Sequence, residues 1–165
     1  MNWNLDPAHS YVEFSVRHLG ISTVKGRFRT FGGTATTDAT GNLVEISADV
    51  DPASIDTGTE QRDVHLRSAD FFDVQAHPKM RFTSTSVTPL GDGRYRADGT
   101  LSMHGTEKPV SLEVELGQPV KDPFGNTKLA ASASGRIKRS DWGLTWNQAL
   151  EAGGFLVSDE VKLAF

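Results

Sequence analysis

Apolar and polar residues alternate along most of the chain. Positions 11–18 read YVEFSVRH, with Val12, Phe14 and Val16 on one parity and His18 continuing it. Such a period of two marks a strand with one buried face. The pattern recurs at Val24, Gly26 and Phe28, at Val44, Ile46, Ala48 and Val50, and at Met80 and Phe82. It recurs again at Tyr95, Ala97, Gly99, Leu101 and Met103, at Val110, Leu112, Val114 and Leu116, and at Leu129, Ala131, Ala133, Gly135 and Ile137. Val157, Val161, Leu163 and Phe165 end the chain on one parity. GDG at 91–93 and HGTEKP at 104–109 read as turns, and GG at 32–33 as a bulge or bend.

About eight strands follow, most of them half polar and joined by short turns. One-sided alternation in successive hairpins implies an antiparallel sheet with one buried face. Closing that sheet removes its edges, so the expected fold is all-β, an extended antiparallel barrel of about eight strands. A sandwich is the competing architecture. A single helix is expected over residues 58–67. TGTE at 57–60 has the spacing of a capping box, with Thr57 as cap and Glu60 reaching back. Asp63 and Arg67 then lie four apart and can pair on its exposed side. Its apolar residues are Val64 and Leu66, enough to cover a barrel end.

The inward parity is rich in small residues, among them Gly26, Ala48, Ala97, Gly99, Ala131, Ala133 and Gly135. That implies spare room inside. Trp142, Trp146 or loop side chains could fill the space, flattening could bring opposite walls together, or the lumen could be an apolar pocket. The aromatic-rich DWGLTW at 141–146 suits either a ligand entrance or a core anchor.

Composition narrows the function without naming it. The 165 residues suit one domain spanning 1–165. A net charge of −4 argues against nucleic acid as a partner, which needs a basic surface. With no cysteine there is no disulfide, thiolate metal site or cysteine nucleophile. No apolar run approaches the roughly 20 residues of a membrane span, so no stable membrane insertion is expected. The opening MNWNLDPAHS lacks the basic start and apolar run of a secretory signal, so a cytoplasmic protein is expected.

Candidate chemistry is sparse. The histidines are His9, His18, His65, His77 and His104, and none has local metal-ligand spacing. No nucleophile elbow, phosphate loop or dinucleotide fingerprint occurs. Neither a metal nor a cofactor is expected. In RDVHL at 62–66, Asp63 and His65 are two apart and would not face each other on a helix. An enzyme would have to use His65 or His18 as general base toward an apolar substrate, with a carboxylate beside it in the pocket.

In order and spacing, DPAHSYVEFSVRHLGISTVKGRFRTFGG, SIDTG, RDVHLRSADFFD, HPKMRFTS and IKRSDWGL resemble the YceI-like family. The resemblance runs from Trp3 to the last strand. It implies a lipocalin-like eight-stranded barrel, a long apolar tunnel holding a polyisoprenoid such as a prenylquinone or polyprenyl phosphate, and a homodimer. Roles in isoprenoid quinone transport or storage and in stress response go with it. The expected wall is Phe14, Val16, Phe28, Met80, Phe82, Leu101, Met103 and Val114. His18, His65 and Arg62 are the expected polar contacts at a tunnel end. Trp142 stands where the family commonly has Phe, and would narrow or reshape the lumen locally.

Overall fold

The computed structural model describes residues 1–18, 22–144 and 157–164; for His18 and for 157–164 it describes the backbone alone. Trp146 lies outside the described residues. Among the described residues, thirteen strands and one α-helix run in the order β1 (Asn2–Asn4), β2 (Val12–His18), β3 (Ser22–Phe28), β4 (Phe31–Thr37), β5 (Leu43–Val50), β6 (Ile55–Asp56), α1 (Glu60–Arg67), β7 (Met80–Gly91), β8 (Arg94–Met103), β9 (Thr106–Leu116), β10 (Val120–Lys121), β11 (Thr127–Lys128), β12 (Ala131–Lys138) and β13 (Val157–Ala164).

Antiparallel ladders join these strands as β1-β4-β5-β7-β8-β9-β12-β13-β2-β3-β6, with β10 and β11 forming a separate hairpin. β3 and β4 are one stretch of chain, bent at Arg29 and Thr30. Its first half pairs with β2, as in Phe14 opposite Gly26. Its second half pairs with β5, as in Gly33 opposite Ala48. The order therefore runs back onto itself through the bend. Arg29 N donates to Ser54 O at 3.1 Å and Asp51 N to Thr30 O at 3.0 Å, carrying the pairing across it. The ring is β2, bent β3–β4, β5, β7, β8, β9, β12 and β13, an eight-stranded barrel.

The alternating parity faces inward. Val12, Phe28, Val50, Met80, Phe82, Leu101, Met103, Leu112 and Ile137 are all buried. Val44, at 51% exposure, departs from this, and Ala131 at the start of β12 is exposed as well. The register against β4 slips between Thr36 and Thr37, so Thr37 faces Leu43 and Val44 is the extra residue. Leu43 takes the buried place that alternation assigned to its neighbour. The second expected turn is also shorter than HGTEKP. Only His104 and Gly105 make it, both at positive φ, as a two-residue hairpin requires, while Glu107, Lys108 and Pro109 belong to β9.

The helix begins at Glu60, with Thr59 rather than Thr57 at the cap position and no side-chain cap bond. Thr57 is used differently. Its N and Oγ1 donate to Asp63 Oδ1 at 3.0 and 2.6 Å. Asp63 is therefore buried, not paired with Arg67 on the surface. Arg67 instead reaches Glu60 at 3.6 Å and donates to Ala53 O. Val64 points to solvent, while Leu66 packs on the core. Losing the Asp63 carboxylate would leave two donors of Thr57 without their acceptor. Asp63→Ala should cost about 1–3 kcal/mol. Chemical unfolding would measure the loss, and faster exchange of the Thr57 amide would place it at the β6–α1 junction.

Asp56 lies beside this junction. The Gly58 N–H and then the Arg29 guanidinium, 2.6 Å away, hold its carboxyl below its ordinary value. A depressed carboxyl stabilises the fold above its unfolded value, near 3.8, and that contribution is lost as pH falls through the folded value. Asp56→Asn should therefore flatten the fall of melting temperature between about pH 5 and pH 3. A melting series over that range in both proteins tests it.

Candidate functional site: an apolar cavity at the helix end of the barrel

Inward side chains from six strands meet at the barrel end that carries α1. Between them is a cavity of about 110 Å³. Phe14 and Val16 of β2, Phe28 of β3, Ala48 and Val50 of β5, Met80 and Phe82 of β7, Leu101 and Met103 of β8, and Ile137 of β12 form its wall. Leu66 of α1, Phe71, Phe72 and Leu144 close the end. The aromatic rings brace one another: Phe14 and Phe28 centroids are 5.5 Å apart, and Phe28 meets Phe72 edge-on at 5.9 Å. Each such pair contributes roughly 0.5–1.5 kcal/mol beyond its buried area.

Seven expected wall residues are thus together: Phe14, Val16, Phe28, Met80, Phe82, Leu101 and Met103. Val114 is buried but lines the opposite half of the barrel, across from Tyr95, and does not reach the cavity. Trp142 does not narrow the lumen either. Its ring is 2% exposed, its Nε1 donates to Leu101 O at 2.9 Å, and its own carbonyl meets His104 Nδ1 at 2.9 Å. It is an anchor behind the wall.

Two of the three expected polar contacts, Arg62 and His65, are bonded outside the cavity. Arg62 is spent on Thr57, donating from Nε to Oγ1 at 2.7 Å and from Nη2 to the carbonyl at 2.8 Å. His65 Nε2 meets Asp70 Oδ2 at 2.8 Å, with both side chains substantially exposed. Its ring packs edge-on against Phe71, 5.2 Å between centroids, which places it one ring behind the cavity. The His18 side chain lies outside the described residues.

Arg139 is one of two cations on the cavity lining among the described residues. It is buried, donates from Nη1 to Leu144 O at 2.8 Å, and stands 5.9 Å over the Phe71 ring. Arg81 and Glu13 are the other charged residues on the lining, and Arg81 pairs with Asp49 at 3.3 Å. Sequence patterning missed Arg139, Phe71, Phe72 and Leu144 because none sits on an alternating strand. The FF pair at 71–72, in an otherwise polar loop, was the available signal.

At three of the small inward residues the expected spare room is occupied. A Cβ on Gly26 would overlap the Phe14 ring, which lies on that glycine. On Gly99 it would come within 2.7 Å of Phe82 Cζ, and on Gly135 within 2.7 Å of Leu112 Cδ2. The gaps left by glycines are filled by large side chains from adjacent strands. Among the described residues, no three His, Cys, Asp or Glu side chains gather as a metal site. No helix there is long and apolar enough to cross a membrane.

The arrangement can enclose an apolar group and contribute little directional chemistry to it. Comparison with known proteins fits this architecture. Protein YceI of Salmonella arizonae is 38% identical over 138 residues, 83% of this chain and 72% of the relative. Burkholderia cenocepacia BcnA superposes with a TM-score of 0.84 at 23% identity, over 97% of this chain and 96% of that one. A polyisoprenoid binding domain from Saccharophagus degradans superposes with a TM-score of 0.66 at 19% identity, over 98% and 94%. The YceI-like domain model matches residues 3–165, the whole of the barrel just described, and the chain belongs to the YceI-like family.

Proposed function

We propose that this protein binds a long-chain polyisoprenoid lipid, such as a prenylquinone or polyprenyl phosphate, with its tail in the barrel lumen. It would act as a carrier or store with no chemical step. The observation that carries this reading is the cavity wall, built almost wholly from hydrocarbon and aromatic side chains. Tail burial supplies affinity at roughly 25 cal/mol per Å² of apolar surface removed from water. The Saccharophagus domain of the same fold is a polyisoprenoid binder, which supports the ligand class. The head group would remain at the mouth, near Arg81 and Arg139.

An enzyme with His65 or His18 as general base is the weaker alternative. It needs a histidine–carboxylate couple facing the pocket, and the Asp70 partner of His65 faces solvent. A homodimer, as the family resemblance implies, belongs to the carrier reading without being required by it.

Organic extraction and native mass spectrometry of the protein from its own host test the proposal. A co-purifying prenyl lipid is the expected result. A protein that is lipid-free, and that takes up no prenol or prenylquinone when these are added, overturns it.

A further inference from the structure

We propose that Phe14 and Phe82 set the length of isoprenoid tail that this protein accepts. The inference rests on the polyisoprenoid reading above. Both rings line the cavity, and each lies over a glycine of the adjacent strand, Phe14 on Gly26 and Phe82 on Gly99. Gly26 faces Phe14 directly across the β2–β3 ladder, and Gly99 is the diagonal neighbour of Phe82 across β7–β8. Two wall positions that could have been open are therefore closed by side chains anchored elsewhere.

The cost of this arrangement is volume. The remaining cavity, about 110 Å³, is smaller than the roughly 150 Å³ engineered cavity that takes one benzene. Ligand pockets usually hold about 300–1,000 Å³. A long tail must then displace a ring or remain partly outside. A phenyl ring has six carbons and an isoprene unit five. Truncating either phenylalanine to alanine opens room for about one further unit, because a packed wall relaxes only partly into the gap. Gly26 and Gly99 themselves contribute nothing to fill it.

Leu112 provides an internal comparison. It covers Gly135 in the same manner but does not line the apolar cavity; with Phe14 and Gly135 it borders a second, more polar pocket of about 690 Å³. If covering a glycine matters only for packing, all three positions behave alike. If the cavity-facing rings set length, Phe14 and Phe82 differ from Leu112.

The test is affinity for a series of linear prenols of increasing length, measured by displacement of a fluorescent fatty-acid probe. Affinity should rise with each unit and then level off. In Phe14→Ala and Phe82→Ala the plateau should move outward by about one unit, with the added unit giving roughly tenfold tighter binding in the variant, about 1.4 kcal/mol. Leu112→Ala should lower the melting temperature and leave the plateau where it is. Phe14→Leu and Phe82→Leu, which keep most of the volume, serve if an alanine variant does not fold, and should give a smaller shift in the same direction. An unchanged plateau in folded Phe14 and Phe82 variants, or an equal shift in Leu112→Ala, overturns the inference. Failure of the unmodified protein to bind any prenol would instead overturn the polyisoprenoid reading itself.

Discussion

Ala48→Leu should abolish prenyl-lipid binding while leaving the barrel folded. Ala48 lies on the cavity wall, opposite Phe82 on one side and Gly33 on the other. Leucine there adds three carbons and deletes none. A cavity of about 110 Å³ has little room left once they are inside. Overpacking a well-filled core costs roughly 1–3 kcal/mol, and this site starts with empty space to absorb part of it. Stability should therefore change modestly and affinity by at least about a hundredfold, since about 2.7 kcal/mol of tail burial corresponds to only a few methylenes. Titration with a fluorescent prenol analogue, beside a thermal melt, separates the two effects. Unchanged affinity in a folded Ala48→Leu protein would mean that the tail binds elsewhere.

The second large effect is structural. Trp142→Ala should cost about 3–5 kcal/mol. Trp142 is among the largest fully buried side chains, and its indole N–H is tied to the Leu101 carbonyl in the middle of the wall. Deleting it opens a void and removes the partner of that carbonyl together. Set against a typical stability of about 5–15 kcal/mol, such a loss is a large share. Trp142→Phe retains most of the buried ring and forfeits the hydrogen bond, so it should cost about 1–2 kcal/mol. Urea unfolding midpoints of the two variants give the comparison. Near-equal midpoints would show that the hydrogen bond, not the ring, dominates at this position.

These positions differ in how far the sequence exposes them. Ala48 sits on a clean alternating strand, and its inward orientation follows from parity alone. Trp142 lies in a short 3-10 turn after β12, where no period applies. Its neighbourhood suggested either an entrance or an anchor, and the contact with Leu101, 41 positions earlier, decides for the anchor. The polar residues were the least legible. Arg62 and His65 stood out by type and by their place on the single helix. Their partners, Thr57 and Asp70, lie within five residues, and such short-range bonds satisfied both side chains outside the cavity. The slip at Val44 shows the same weakness on a strand. One extra residue reverses parity, and nothing in LVEISADV announces where it occurs.

By itself the sequence determined an antiparallel all-β fold with one buried face, while alternation left barrel and sandwich both open. A period of two, sustained across successive short hairpins, fixes which side chains face inward, because neighbouring residues on a strand must point to opposite faces. It also determined the chemical character of the interior, since that parity carries almost nothing that can ionise. Only the tertiary structure decided how much of the interior is empty. Gly26, Gly99 and Gly135 look like vacancies when each strand is read alone, yet Phe14, Phe82 and Leu112 of adjacent strands lie across them. Volume is the small remainder between a shell of backbone and the side chains that fill it. That remainder depends on register and rotamer across strands distant in the chain, and no local pattern contains it.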